Sequence, residues 1–129
     1  MPQLGNIVIN DAAATPVAHT FAPVTSNGRL AELANRTATT PKGFETLRVE
    51  CRKPEGQSTV YRVTAGLNDP VEAVVDGQTV VVRNSSFEGK FNFSPESTAQ
   101  ERKDLVALVS NLFAHATFKS TCENLEPIY

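Results

Sequence analysis

Between Thr79 and Phe113 the chain changes its hydrophobic period once, from two to about 3.6, and that change constrains what the rest can be. From Ser85 to Phe93 the residues alternate: Phe87, Gly89, Phe91 and Phe93 share one face, and Ser86, Glu88, Lys90 and Asn92 the other. That is a strand with one wet side. Ser94-Pro95-Glu96-Ser97 is a turn, since Pro95 cannot donate to a ladder. Thr98-Ala99-Gln100-Glu101 then spells a capping box, in which a hydroxyl and a carboxylate satisfy free amides of a first helical turn. Leu105, Val106, Leu108, Val109, Leu112, Phe113 and Ala116 form one helical stripe, which must bury itself on something. The phenylalanine face of the preceding strand is the nearest candidate, and its polar face is then open to a partner.

The strands before it follow from the same periodicity. Ile7-Val8-Ile9 and Val17 to Val24, the latter bounded by Pro16 and Pro23, are spaced as a hairpin over residues 1–24. Arg29 to Ala34 is a short third strand, and Asn35 to Gly43 is polar loop. In Glu45 to Lys53, Leu47, Val49 and Cys51 alternate with Thr46, Arg48, Glu50 and Arg52. Lys53-Pro54-Glu55-Gly56 is a turn with glycine placed for positive φ. From Thr59 to Leu67, Tyr61, Val63, Ala65 and Leu67 alternate with Arg62, Thr64 and Gly66, and Asn68-Asp69-Pro70 is expected to break the run. Asp76-Gly77-Gln78 marks either a hairpin tip or a mobile loop. A second short helix is expected over Phe118 to Leu125. The fold class is therefore α+β. An N-terminal hairpin leads into an antiparallel meander of about five strands across residues 29–93, and two helices follow across 97–125. A chain of 129 residues makes this one domain, 1–129.

Composition removes several function classes. With 40% hydrophobic and 20% charged residues the chain should fold. A net charge of −2 means that any nucleic-acid binding must come from a local patch. No apolar run approaches a membrane span, and the first residues lack the basic-then-apolar order of a signal peptide, so a cytoplasmic product without membrane partners is expected. Cys51 and Cys122 lack metal-ligand spacing, and both are expected as buried thiols. His19 falls mid-strand and His115 near a helix end, where the dipole favours a cation; both are read as structural. There is no phosphate loop and no nucleophile elbow. No cofactor, metal or catalytic residue is expected, and the chain is read as a non-enzyme.

The open sheet face carries the informative chemistry. Arg48, Arg52, Arg62 and Lys90 oppose only Glu50 and Glu88, a positive surplus on a chain of negative net charge. Such a face is either a solvated surface laced with cross-strand ion pairs, or a patch for phosphates with Thr64, Ser86 and Asn92 as hydrogen-bonding partners.

Three further stretches stand out: Asp11-Ala-Ala-Ala-Thr15-Pro16 with His19-Thr20-Phe21, then Ser97-Thr98-Ala-Gln-Glu101-Arg102, then Asn124-Leu125-Glu126-Pro127-Ile128-Tyr129. In this order and spacing, over nearly the whole chain, the sequence resembles the coat proteins of the small single-stranded RNA bacteriophages, the levivirus type. The resemblance implies an interlocked homodimer in which each chain's helices cross its partner's sheet, so that a wide apolar sheet is covered. It implies assembly of dimers into an icosahedral, T=3 shell, and a virion built in the cytoplasm of a bacterial host. It also implies that the inner sheet face binds a hairpin of genomic RNA, for packaging and translational repression. The positions carried over are Arg48, Glu50 and Arg52 from the first meander strand, Arg62 and Thr64 from the second, and Ser86, Glu88 and Lys90 from the third. Arg52 is the carry-over best supported by the match. Glu72 to Gln78 corresponds to the family's symmetry-axis loop, and without cysteine it predicts no disulfide-linked shell. The alternative is a dimeric RNA-binding translational regulator that never assembles.

Overall fold

The computed structural model describes residues 3–128. Met1, Pro2 and Tyr129, the last of which closes the tail pattern above, lie outside the described residues. Six strands lie side by side in sequence order: β1 (Ile7–Asn10), β2 (Ala18–Ser26), β3 (Leu30–Asn35), β4 (Glu45–Arg52), β5 (Tyr61–Val75) and β6 (Gln78–Phe93). A 3₁₀ turn at Pro41–Gly43 precedes β4, and two helices follow, α1 (Ala99–Ala114) and α2 (Ala116–Asn124). The α+β reading holds, but residues 29–93 supply four strands where about five were expected, and the hairpin strands complete the same six-stranded sheet. The chain forms two compact units, residues 1–92 and 93–129.

In the first unit, pairing fixes which side chains share a face. Leu33 lies opposite Leu47, and Leu47 opposite Leu67; Ala31, Val49 and Ala65 follow the same order. Phe21, Leu33 and Leu47 are buried on this apolar face, with Ala31, Val49 and Leu67 packed against them. The even-numbered residues of β4 take the other side, as alternation requires.

Two strands outlast the prolines that should have ended them. Pro23 stands inside β2, where the register slips between Pro23↔Leu33 and Thr25↔Glu32. A bulge needs no ladder bond from the extra residue, so an imino acid is tolerated beside it. Pro70 stands inside β5, whose pairing with β4 ends at Thr46↔Asn68 because β4 begins at Glu45. Beyond that point β5 has no ladder to feed on its β4 side, so a missing N–H is harmless there.

β5 and β6 meet at a two-residue turn. Asp76 and Gly77 both have positive φ, 51° and 78°, the type I′ pattern that matches strand twist. The expected loop over Glu72 to Gln78 is therefore mostly strand: β5 runs to Val75 and β6 resumes at Gln78. At Gly89 an added Cβ would come within 2.7 Å of the Phe87 ring, which lies along the same strand face and explains a glycine in that alternation.

The second unit begins with the expected cap. Thr98 Oγ1 accepts from Glu101 N at 3.2 Å, and Thr98 N donates to Glu101 Oε2 at 2.7 Å. His115 ends α1 and starts α2: its N–H donates to Leu112 O, and its Nδ1 accepts from Thr117 N at 3.3 Å. The ring nitrogen thus caps the start of α2. Phe113 and Phe118 stack across the junction with centroids 5.4 Å apart. No residue of either helix is buried, and Leu108 is 67% exposed. The apolar stripe of α1 is thus not buried by its own chain. The two cysteines correct the sequence reading: Cys51 and Cys122 are both exposed free thiols. Cys51 has the apolar parity expected of it, but it sits next to last in β4, beyond the buried cluster.

Candidate nucleic-acid interface

The polar face is built by register. Across β4 and β5, Arg48 opposes Gly66, Glu50 opposes Thr64, and Arg52 opposes Arg62. Across β3 and β4, Glu32 opposes Arg48 and Leu30 opposes Glu50. On the β6 side, Arg62 Nε donates to Asn92 Oδ1 at 3.3 Å, which puts the even-numbered side chains of β5 and β6 together. Arg48, Glu50, Thr64 and Glu88 line one depression of about 270 Å³, together with Gly66 and Asn68. Ser86 and Lys90 are on β6 but do not line it.

Ion pairing divides the cations into two sets. Glu50 lies between two arginines, 2.7 Å from Arg52 Nε and 3.1 Å from Arg29 Nε. The hydrogen bond from Arg52 holds the Glu50 carboxyl below the usual glutamate range, with the Arg52, Arg29 and Arg48 charges adding to it. The same bond raises the Arg52 guanidinium further above its already high value. Arg48 Nε pairs with Glu32 at 3.3 Å. Among the described residues, Arg62 and Lys90 have no carboxylate partner within salt-bridge distance. Arg29 and Glu32, which sequence reasoning left out, thus belong to this face. Their only signal was the β3–β4 register, which brings Glu32 opposite Arg48.

Arg52 and Arg62 face one another directly, and like charges opposed across a ladder are destabilising. The Glu50 carboxylate beside Arg52 offsets part of that repulsion.

A second constellation was not foreseen. His19 lies 2.8 Å from Glu45 Oε1 through Nδ1 and 3.0 Å from Asp11 Oδ2 through Nε2. Asp11 Oδ1 also accepts from Ala13 N and Val17 N. The Val17 amide, then His19 and Ala13, bring the Asp11 carboxyl down to about 2. The bonds to Asp11 and then Glu45 raise the imidazole above its ordinary value. Separations of 8 and 26 residues hid this grouping in the sequence.

The family model for the levivirus coat protein matches residues 2–129. The chain belongs to the levivirus coat protein family. It is 30% identical to the capsid protein of Pseudomonas phage PRR1 over 136 aligned residues, covering 98% of this chain and 99% of that one. Among solved structures of this family, a virus-like particle of Beihai levi-like virus 21 superposes with a TM-score of 0.90 at 30% identity, covering 99% of each chain. The capsid protein of bacteriophage GA shares the levivirus fold, with a TM-score of 0.74 at 16% identity, over 94% of this chain and 95% of that one. Levivirus coat proteins are structural capsid proteins, not enzymes.

Proposed function

We propose that this levivirus coat protein dimerises, builds an icosahedral T=3 shell, and receives a hairpin of genomic RNA on the polar face of its sheet. The two compact units act together as one coat domain. Two features support the dimer. The stripe of α1 leaves Leu105, Leu108 and Leu112 exposed, and a second copy offers an apolar sheet face to cover it. β6 is the last strand in the order β1 to β6, an edge position against which a second β6 can be set. Repression of translation and assembly in the host cytoplasm follow from binding such a hairpin early.

The observation that carries the RNA reading is that Arg62 and Lys90, on neighbouring strands beside Arg52, have no carboxylate partner within salt-bridge distance among the described residues. Those cations are left for phosphates, and a two-fold dimer doubles the patch to span a stem. Arg48 and Thr64 add donors, while Ser86 hydroxyls and the Glu50 and Glu88 carboxylates reach base edges or sugars; a carboxylate accepts from an exocyclic amine, which separates bases from plain polyanion binding. The test is titration of dimers with genomic RNA fragments. If Arg52→Ala and Arg62→Ala together leave affinity and salt dependence unchanged, RNA does not bind here. Size-exclusion chromatography decides assembly: a megadalton particle supports the shell, and a dimer that stays a dimer under all conditions supports the regulator instead.

A further inference from the structure

We propose that His19 is a proton-operated clasp, fastening the far part of the N-terminal hairpin to β4 only while both ring nitrogens carry a proton. The geometry demands it. Each ring nitrogen faces a carboxylate, Glu45 at 2.8 Å and Asp11 at 3.0 Å. A deprotonated carboxylate only accepts, so both contacts need an N–H, and only the imidazolium has two. The neutral ring must turn a lone pair towards one of the two carboxylates, and that contact opens.

The clasp sits where the fold offers little else. β2 pairs with β3 only from Ala22 onwards, so Ala18 to Thr20 are laddered to β1 alone. Among the described residues, β1 pairs with β2 and with no other strand. Asp11 moves with the hairpin turn and Glu45 with β4, so opening on either side breaks the bridge. Asp69 of β5 lines the same hollow of about 170 Å³ as Asp11, His19 and Glu45. The ring thus contacts carboxylates from the hairpin turn and β4, with Asp69 of β5 in the same hollow, and among the described residues no lysine or arginine lines it.

The sign follows. The folded-state value of His19 is raised, so its contribution is fully present below the ordinary value of 6.5 and is lost as pH rises through the raised one. Asp11 is depressed to about 2, so its contribution is present above 3.8 and is lost only as pH falls towards 2. The clasp is closed in mildly acidic solution and opens on the alkaline side.

The experiment is amide hydrogen exchange on the full chain from mildly acidic to alkaline pH, corrected for intrinsic exchange, beside NMR titration of the His19 ring with His115 as reference. The protection of residues 18–20 relative to residues 46–51 should fall about fivefold across the His19 titration, as one exposed charge-assisted bond opens. Glu45→Gln should lower the His19 midpoint and flatten the transition, because an amide can donate to the lone pair of the neutral ring, and His19→Gln should abolish the transition. A protection ratio that stays flat while His19 titrates, or the same drop in His19→Gln, overturns the clasp. Should His19→Gln fail to fold, the wild-type ratio and its flattening in Glu45→Gln still decide.

Discussion

Replacing Arg62 by alanine separates the charges that this face keeps for itself from those it offers outward. Arg62 is held by one neutral partner, Asn92, whereas Arg52 is already 2.7 Å from a carboxylate that Arg29 also engages. Removing one phosphate-binding cation lowers the slope of log affinity against log salt by about 0.7–0.9. A two-fold dimer presents Arg62 twice, so for a hairpin meeting both copies the slope falls by about 1.4–1.8. Over a roughly fourfold rise in salt, that makes the penalty at the low-salt end about tenfold larger than at the high-salt end. Arg52→Ala removes a charge that Glu50 already offsets, so its slope should change by less than half as much. The assay is fluorescence anisotropy of labelled genomic hairpins against dimers held below the assembly concentration, at four salt concentrations. A wild-type slope in Arg62→Ala, or a larger change in Arg52→Ala than in Arg62→Ala, would refute the division of the cations.

Other expectations are local. Leu108→Asp or Leu112→Asp places a charge on the exposed stripe of α1 and should leave no soluble dimer by size-exclusion chromatography; a well-folded monomer of either would sink the interlocked arrangement. Thr98→Ala removes one half of the capping box and should destabilise the protein by about 1 kcal/mol in urea unfolding followed at a fixed protein concentration. Gly43→Ala would drive a Cβ into the Glu72 carboxylate, which must then move and give up its bond from Thr40 N. The flexible Glu72 side chain can swing aside, so a loss of about 1 kcal/mol or less is expected by the same measurement, and Gly43→Ala combined with Glu72→Ala should show no further loss.

The capped helix and the alternation of β4, β5 and β6 were legible because each rests on neighbours in sequence. Thr98 and Glu101 satisfy one another within a single turn, whatever surrounds them. Pro23 and Pro70 misled because a proline's penalty depends on whether a ladder needs its amide, and that is set by the partner strand's length and register. Cys51 kept the parity read for it but not the burial, since parity gives the face and not what covers it. His115 had a backbone amide to cap where a dipole argument placed a cation. The polar face was legible as a set of residues, but the pairing of Glu50 with Arg29 and of Arg48 with Glu32 depends on β3 lying beside β4. The His19 cluster had no local signature, because Glu45 reaches it from another strand.

Because every strand lies beside its neighbour in sequence, the sheet can zip up in the order in which the chain is made, with short loop closures at each step. Each strand's open flank is closed by the next one to emerge, until β6. Its 16 residues have no later strand to follow, only helix. In the proposed dimer that last flank is closed by collision with another chain, so the waiting time passes from a property of the molecule to one of its abundance. At low concentration the same flank is an open template for wrong partners. At high concentration the proposed pairing would satisfy it almost as soon as it forms, so rapid synthesis would protect such a chain from aggregation.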